Sequence, residues 1–205
     1  MIRGLREILP DNGKAFSSIL ISLKTRNFRL YFTGMCVSLT GTWMQQIAMS
    51  WLVYRLTGSV FLLATVTFMA QIPILLVTPL MSVFVDRFDR QKILILTQSL
   101  SMVQALSMAV LTLSGVIEVW HILILSLLIG CINALDNPTR QAFYPSLVAK
   151  EHLSNAIALN SAVINGSRLI GPAVGGVLIG IFGEGLCFLL NGISYLGVII
   201  ALFLM

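Results

Sequence analysis

The sequence predicts an all-α membrane protein of six transmembrane helices, and three observations carry that prediction. Of the 205 residues, 57% are hydrophobic and 10% charged, against about 25% charged in a typical soluble domain. Mean hydropathy is +0.93, and the apolar residues fall into six stretches, each able to cross a bilayer core of about 30 Å as roughly 20 helical residues. The basic residues that raise the pI to about 9.5 sit in short segments between those stretches. Such placement signals membrane orientation and argues against nucleic-acid binding. A soluble enzyme and a disordered chain are disfavoured on the same composition.

The elements follow in order. Residues 1–27 mix Arg3, Arg6, Glu7, Pro10, Asp11 and Lys14 with short apolar runs. They read as a cytosolic amphipathic segment without a signal-peptide pattern. The six-helix bundle then occupies 28–205, with spans expected at about 28–54, 59–85, 92–113, 118–138, 153–182 and 186–205. The connectors at 55–58, 114–117 and 183–185 are short, whereas 86–91 and 139–152 are longer and charged, so the long ones share one side of the membrane. Eleven of the thirteen Lys and Arg residues lie on that side. Six precede or open the first span (Arg3, Arg6, Lys14, Lys24, Arg26, Arg29), three follow the second (Arg87, Arg90, Lys92) and two follow the fourth (Arg140, Lys150). Arg55 stands alone on the other side and Arg168 lies inside span five. The positive-inside bias therefore puts both termini in the cytoplasm, and Trp51, Tyr54 and Trp120 fall at the outer interface.

No constellation for enzyme chemistry is present, so the chain reads as a non-enzyme without cofactor or metal. His121 and His152 lie at opposite faces by this topology and cannot share an ion. No Gly-rich ATP-binding loop exists, and Gly192-Ile193-Ser194 is followed by Tyr195 where an intramembrane serine protease needs glycine. Cys36, Cys131 and Cys187 all fall within apolar stretches and suggest buried thiols, not a disulfide framework.

Three features exceed a bland bundle. The loop after span two packs Asp86, Arg87, Asp89 and Arg90 into a tight turn, and Arg90 can reach a carboxylate on a neighbouring span. Asp136 is an acidic residue near the inner end of span four. Span five carries Gly171, Pro172, Gly175 and Gly176, small residues that let helices approach closely, together with Arg168 near mid-depth. An arginine there needs a partner or a wet cavity and is expected to face the bundle, either in a structural ion pair or on a transport path. Thr42, Gln45 and Gln46 in span one and Gln71 in span two add polar groups at similar depth, with Thr42 and Gln46 on one helical face.

The loop resembles the signature cytoplasmic loop of the major facilitator superfamily, with Ser82 and Asp89 in place of its two glycines. Gly171 to Gly176 resemble the span-five motif of its proton-coupled antiporters. The stretches DRFDRQKIL (86–94), NPTRQAFYPSLV (137–148) and LCFLLNGISYL (186–196), with residues 26–59, are similar to the enterobactin-exporter-like subfamily of bacterial drug and siderophore efflux proteins. This resemblance implies half of a twelve-helix fold, built as two inverted three-helix repeats, with the prolines of spans two and five in corresponding members. It implies efflux across a bacterial inner membrane by alternating access, driven by a proton gradient and acting on a small amphiphilic molecule. Asp86, Arg87, Asp89, Arg90 and Asp136 would form a cytoplasmic gate, with Arg90 paired to Asp136, and Thr42, Gln45, Gln46, Gln71 and Arg168 would line the path. The expected partners are membrane lipid and a second six-helix half or another copy of the chain. A six-span permease subunit of an ATP-driven transporter and a non-transporting membrane scaffold are the alternatives.

Overall fold

A computed structural model describes residues 21–85 and 87–205; the N-terminal segment to residue 20 and Asp86 of the loop lie outside the described residues. Among the described residues, regular structure is wholly helical. Six long helices alternate in direction: α1 (Arg26–Thr57), α2 (Val60–Val85), α3 (Arg90–Leu113), α4 (Val119–Leu147), α5 (Leu153–Phe182) and α6 (Glu184–Phe203). Helices α2 to α6 are long and apolar enough to cross a membrane. With 32 residues, α1 is the longest, about 48 Å at 1.5 Å per residue. Its apolar character is diluted by Thr33, Ser38, Thr40, Thr42, Gln45, Gln46 and Ser50, and it falls outside that set.

Local chemistry sets the helix ends. Gly58 takes the left-handed conformation (φ 61°) that closes α1, and its N–H donates to the Tyr54 carbonyl at 2.8 Å. Asp89 caps α3 by accepting from the backbone N–H of Gln91 at 2.9 Å and of Lys92 at 3.5 Å. This is the turn that an aspartate makes in place of the glycine. Glu118 and His121 form a reciprocal box at the start of α4. That helix runs on through Asn137-Pro138 to Leu147, well past the expected end of its span at 138. The connector after it shrinks accordingly, and Arg140 stands inside a helix, not in a loop.

Helices pack in the order α2, α4, α3, α6, α1, α5, with α2 and α5 at the two ends and least enclosed. Two apolar cores result. Phe28, Tyr31, Leu94, Phe143 and Leu202 anchor the one nearer the C-terminus of α6, and Leu52, Met108, Ile122 and Phe188 anchor the other. Between them lies a layer of buried amides: Gln45, Gln104 and Asn191.

Glycines set the closest approaches. A Cβ at Gly34 would stand 2.9 Å from the Gly197 carbonyl oxygen across α1 and α6, and one at Gly130 would stand 2.5 Å from the Ala70 carbonyl oxygen across α4 and α2. In span five, Gly171 and Gly175 face α1, where a Cβ would come within 2.6 Å of Trp43 Cβ and 2.8 Å of Ile47 Cγ2 respectively. Gly176 has open space around it. Gly171→Ala is therefore expected to lower stability by about 1–3 kcal/mol, the usual cost of forced overpacking. Gly176→Ala should leave stability level or raise it through helix propensity. Thermal unfolding of both variants in one detergent checks the contrast.

Candidate functional site

A polar face runs along α1 and α4 because their amide residues recur one helical turn apart. Thr42 and Gln46 share a face of α1, as do Asn133, Asn137 and Gln141 on α4. Two adjoining cavities open there. The larger, about 320 Å³, lies among Trp43, Asn137, Arg140, Gln141, Asn160 and Tyr195. The smaller, about 130 Å³, reaches toward α2 and Gln71. Thr42, Gln45, Gln46 and Asn133 border both.

Asp136 forms the floor of the larger cavity and is 1% exposed. Its Oδ1 accepts from Thr97 Oγ1 at 2.6 Å and Gln98 Nε2 at 2.9 Å, while Oδ2 lies 2.5 Å from Arg140 Nε. The expected pairing with Arg90 is thus replaced by pairing with Arg140. The reason is positional: Arg140 is one turn along the same helix, and both carboxylate oxygens are already engaged. Arg90, two turns before Thr97 on α3, meets α4 lower down and donates from Nη1 to the Ala142 carbonyl at 3.0 Å. Arg87 and Asp89 are exposed at the turn. Asp136 therefore belongs to the cavity wall and stands apart from that turn.

Thr42, Gln46 and Gln71 sit on the cavities, and Thr42 Oγ1 is 3.3 Å from the Tyr195 hydroxyl. Gln45 also borders them, but its amide is committed elsewhere. Its Oε1 accepts from Asn191 Nδ2 at 2.7 Å, and its Nε2 donates to Gln104 Oε1 at 3.1 Å. Gln104 Nε2 in turn donates to the Leu125 carbonyl at 3.3 Å, so one relay ties α6, α1, α3 and α4. Arg168 corrects a further expectation. It is exposed and does not enter the bundle; its guanidinium carbon lies 5.2 Å from the centroid of the Trp43 ring. Ser167 is the residue turned inward, 3.2 Å from Thr40 Oγ1, because the glycine contacts leave no room for a long side chain between α5 and α1.

Sequence reading missed Asn133, Asn137, Arg140, Gln141 and Asn160. The four-residue spacing of Asn133, Asn137 and Gln141 on α4 was visible, but Asn137-Pro138 reads as a turn. It also missed the ion pair at the far end, where Arg55 grips the buried Glu184 with two bonds of 2.8 and 3.2 Å. What the cavities offer is hydrogen bonding and one cationic edge. Among the described residues, no nucleophile with an adjacent base lines them.

Residues 17–205 match the transmembrane secretion effector family. The chain is 31% identical to the staphyloferrin A transporter of Staphylococcus aureus over 82% of its own length and 42% of that protein. It is 26% identical to an MFS-type transporter of Bacillus subtilis (82% and 40% covered) and 28% identical to macrolide efflux protein A of Streptococcus pyogenes (76% and 39%). The chain thus spans about two fifths of the length of these relatives. No solved structure matches it.

Proposed function

Because the chain belongs to the transmembrane secretion effector family of the major facilitator superfamily, whose members matched here are transporters and not enzymes, we propose that it is the N-terminal half of a secondary exporter. In this reading it is a multi-pass protein of a bacterial inner membrane with both termini cytoplasmic. A proton gradient drives a small amphiphilic molecule past Thr42, Gln46 and Gln71 by alternating access, with Arg168 at the edge and the Asp89–Arg90 turn as gate. Here α1 crosses the membrane with the other five, packed along α5 and α6.

The observation that carries this reading is the polar cavity pair, walled by α1 together with helices that are long and apolar enough to cross a membrane. Helix order gives further support. Exchanging α1 with α4, α2 with α5 and α3 with α6 returns the same packing sequence reversed, as two inverted three-helix repeats require. The poorly enclosed α2 and α5 stand at the two ends of that sequence, and a second bundle would cover them.

Reconstitution tests the reading. Proteoliposomes holding the chain together with a matching second half should accumulate or release a lipophilic dye when a pH gradient is applied. The chain alone, kept monomeric, should move none, because alternating access needs a second body to rock against. Gradient-dependent movement by the monomer would overturn the half-transporter reading, and failure of both preparations would overturn the exporter.

A further inference from the structure

The larger cavity carries a charge asymmetry that names its ligand. Asp136 spends both oxygens on Thr97, Gln98 and Arg140, and its side chain is 2% exposed. The anion is therefore turned toward α3 and sealed. Arg140 is the opposite case. Its guanidinium bears five N–H donors in a planar fork, of which Nε faces Asp136 and Nη1 meets the Met35 thioether at 3.4 Å, a weak acceptor. Nη2 has no acceptor among the described residues, and Arg140 lines the cavity. Among the described residues, no other acidic residue lines it.

The surroundings fit the same ligand. Gln46, Asn133, Asn137, Gln141 and Asn160 border the cavity, and none of their side-chain amides bonds to a described residue. Arg168 adds a second cation behind the Trp43 wall. A cationic ligand would meet arginine and no free carboxylate, whereas a carboxylate would complete the fork that Asp136 uses on one edge.

We propose, building on the exporter reading, that this cavity binds the carboxylate of a small amphiphilic substrate through the Nη groups of Arg140, with the neighbouring amides holding flanking polar groups. The step is binding alone, and no bond is made or broken.

The test uses the full chain in phosphatidylcholine nanodiscs with three probes measured by calorimetry: 2-naphthoate, its methyl ester and 2-naphthylmethylammonium. The acid should bind at least about tenfold more tightly than either analogue, the scale of one charge-assisted contact. Arg140→Lys, which keeps charge but loses the fork, should weaken it about tenfold. The paired exchange Asp136→Asn with Arg140→Gln removes both charges and keeps both side chains polar, and it should abolish the preference. Equal binding of acid and ester, stronger binding of the ammonium, no binding of any probe, or a preference that survives the paired exchange would each overturn the inference. A short-chain phosphatidylglycerol that displaces the acid would overturn it too, by naming a lipid headgroup as occupant; no displacement supports it. Dye export by the completed transporter is read separately. Export without acid preference defeats this inference and leaves the exporter standing, and acid preference without export does the reverse.

Discussion

Asp136→Ala is expected to cost the chain about 3–5 kcal/mol of stability, the loss typical of removing one member of a buried ion pair. Arg140 Nε and Gln98 Nε2 lose their partner at once, and Thr97 Oγ1 keeps only the Leu94 carbonyl. Arg140 then keeps a thioether as its single described acceptor. Asp136→Asn should cost less, because an amide oxygen still accepts from Thr97 and Gln98. The double variant Asp136→Leu with Arg140→Leu removes both charges and fills the volume, so its cost should fall well below the sum of the single losses. Unfolding in a single detergent at one pH gives the cycle. Additive losses would mean that Arg140 and Asp136 act independently despite their 2.5 Å separation.

The same pair shows where the sequence stops being legible. Six helices, their alternation and their approximate bounds could be read from hydropathy and from charged or glycine-rich breaks, because lipid imposes length and apolarity on each span directly. Gly171 and Gly175 could be read as close-packing residues for the same reason, since small residues at four-residue spacing have few other uses in a bilayer. Asp136 was legible as an acid near the inner end of span four, but its burial and its partner were not. A proline after asparagine looks like a turn in water, whereas a helix in a bundle continues through it when its neighbours satisfy the freed carbonyl. Ending span four at 138 put Arg140 outside the membrane, and the family resemblance set Arg90 against the carboxylate instead. Arg168 failed differently. Inward orientation follows for an arginine inside a closed protein, but its face of α5 lies at an open end of the packing order, where a flat aromatic ring is the nearest stabilising surface.

Gln45 presents the last case, a residue whose position on a cavity suggested ligand contact and whose bonds assign it to the scaffold. Gln45→Leu should destabilise the chain by about 2–4 kcal/mol, since it strands Asn191 Nδ2 and Gln104 Oε1 in a layer sealed between two apolar cores. A pairwise count alone predicts less, because an interhelical hydrogen bond in a membrane contributes about 0.6 kcal/mol; the excess is the penalty of the two abandoned partners. Asn191 is set against Gly41, where an added Cβ would stand 2.6 Å from its Oδ1, so the amide occupies the notch that the glycine leaves on α1. Replacing all three amides together, Gln45→Leu with Gln104→Leu and Asn191→Leu, removes every stranded group and should recover more than half of the loss. The triple variant should also lose register between α1 and α6, since leucines fit several offsets where an amide chain fits one. Thermal unfolding measures the first effect, and the nuclear Overhauser contact between the unsubstituted Gly34 and Gly197, whose backbones touch, measures the second. A contact in the triple variant as strong as that in the parent would assign the relay to stability alone and remove its role in fixing how α1 meets α6.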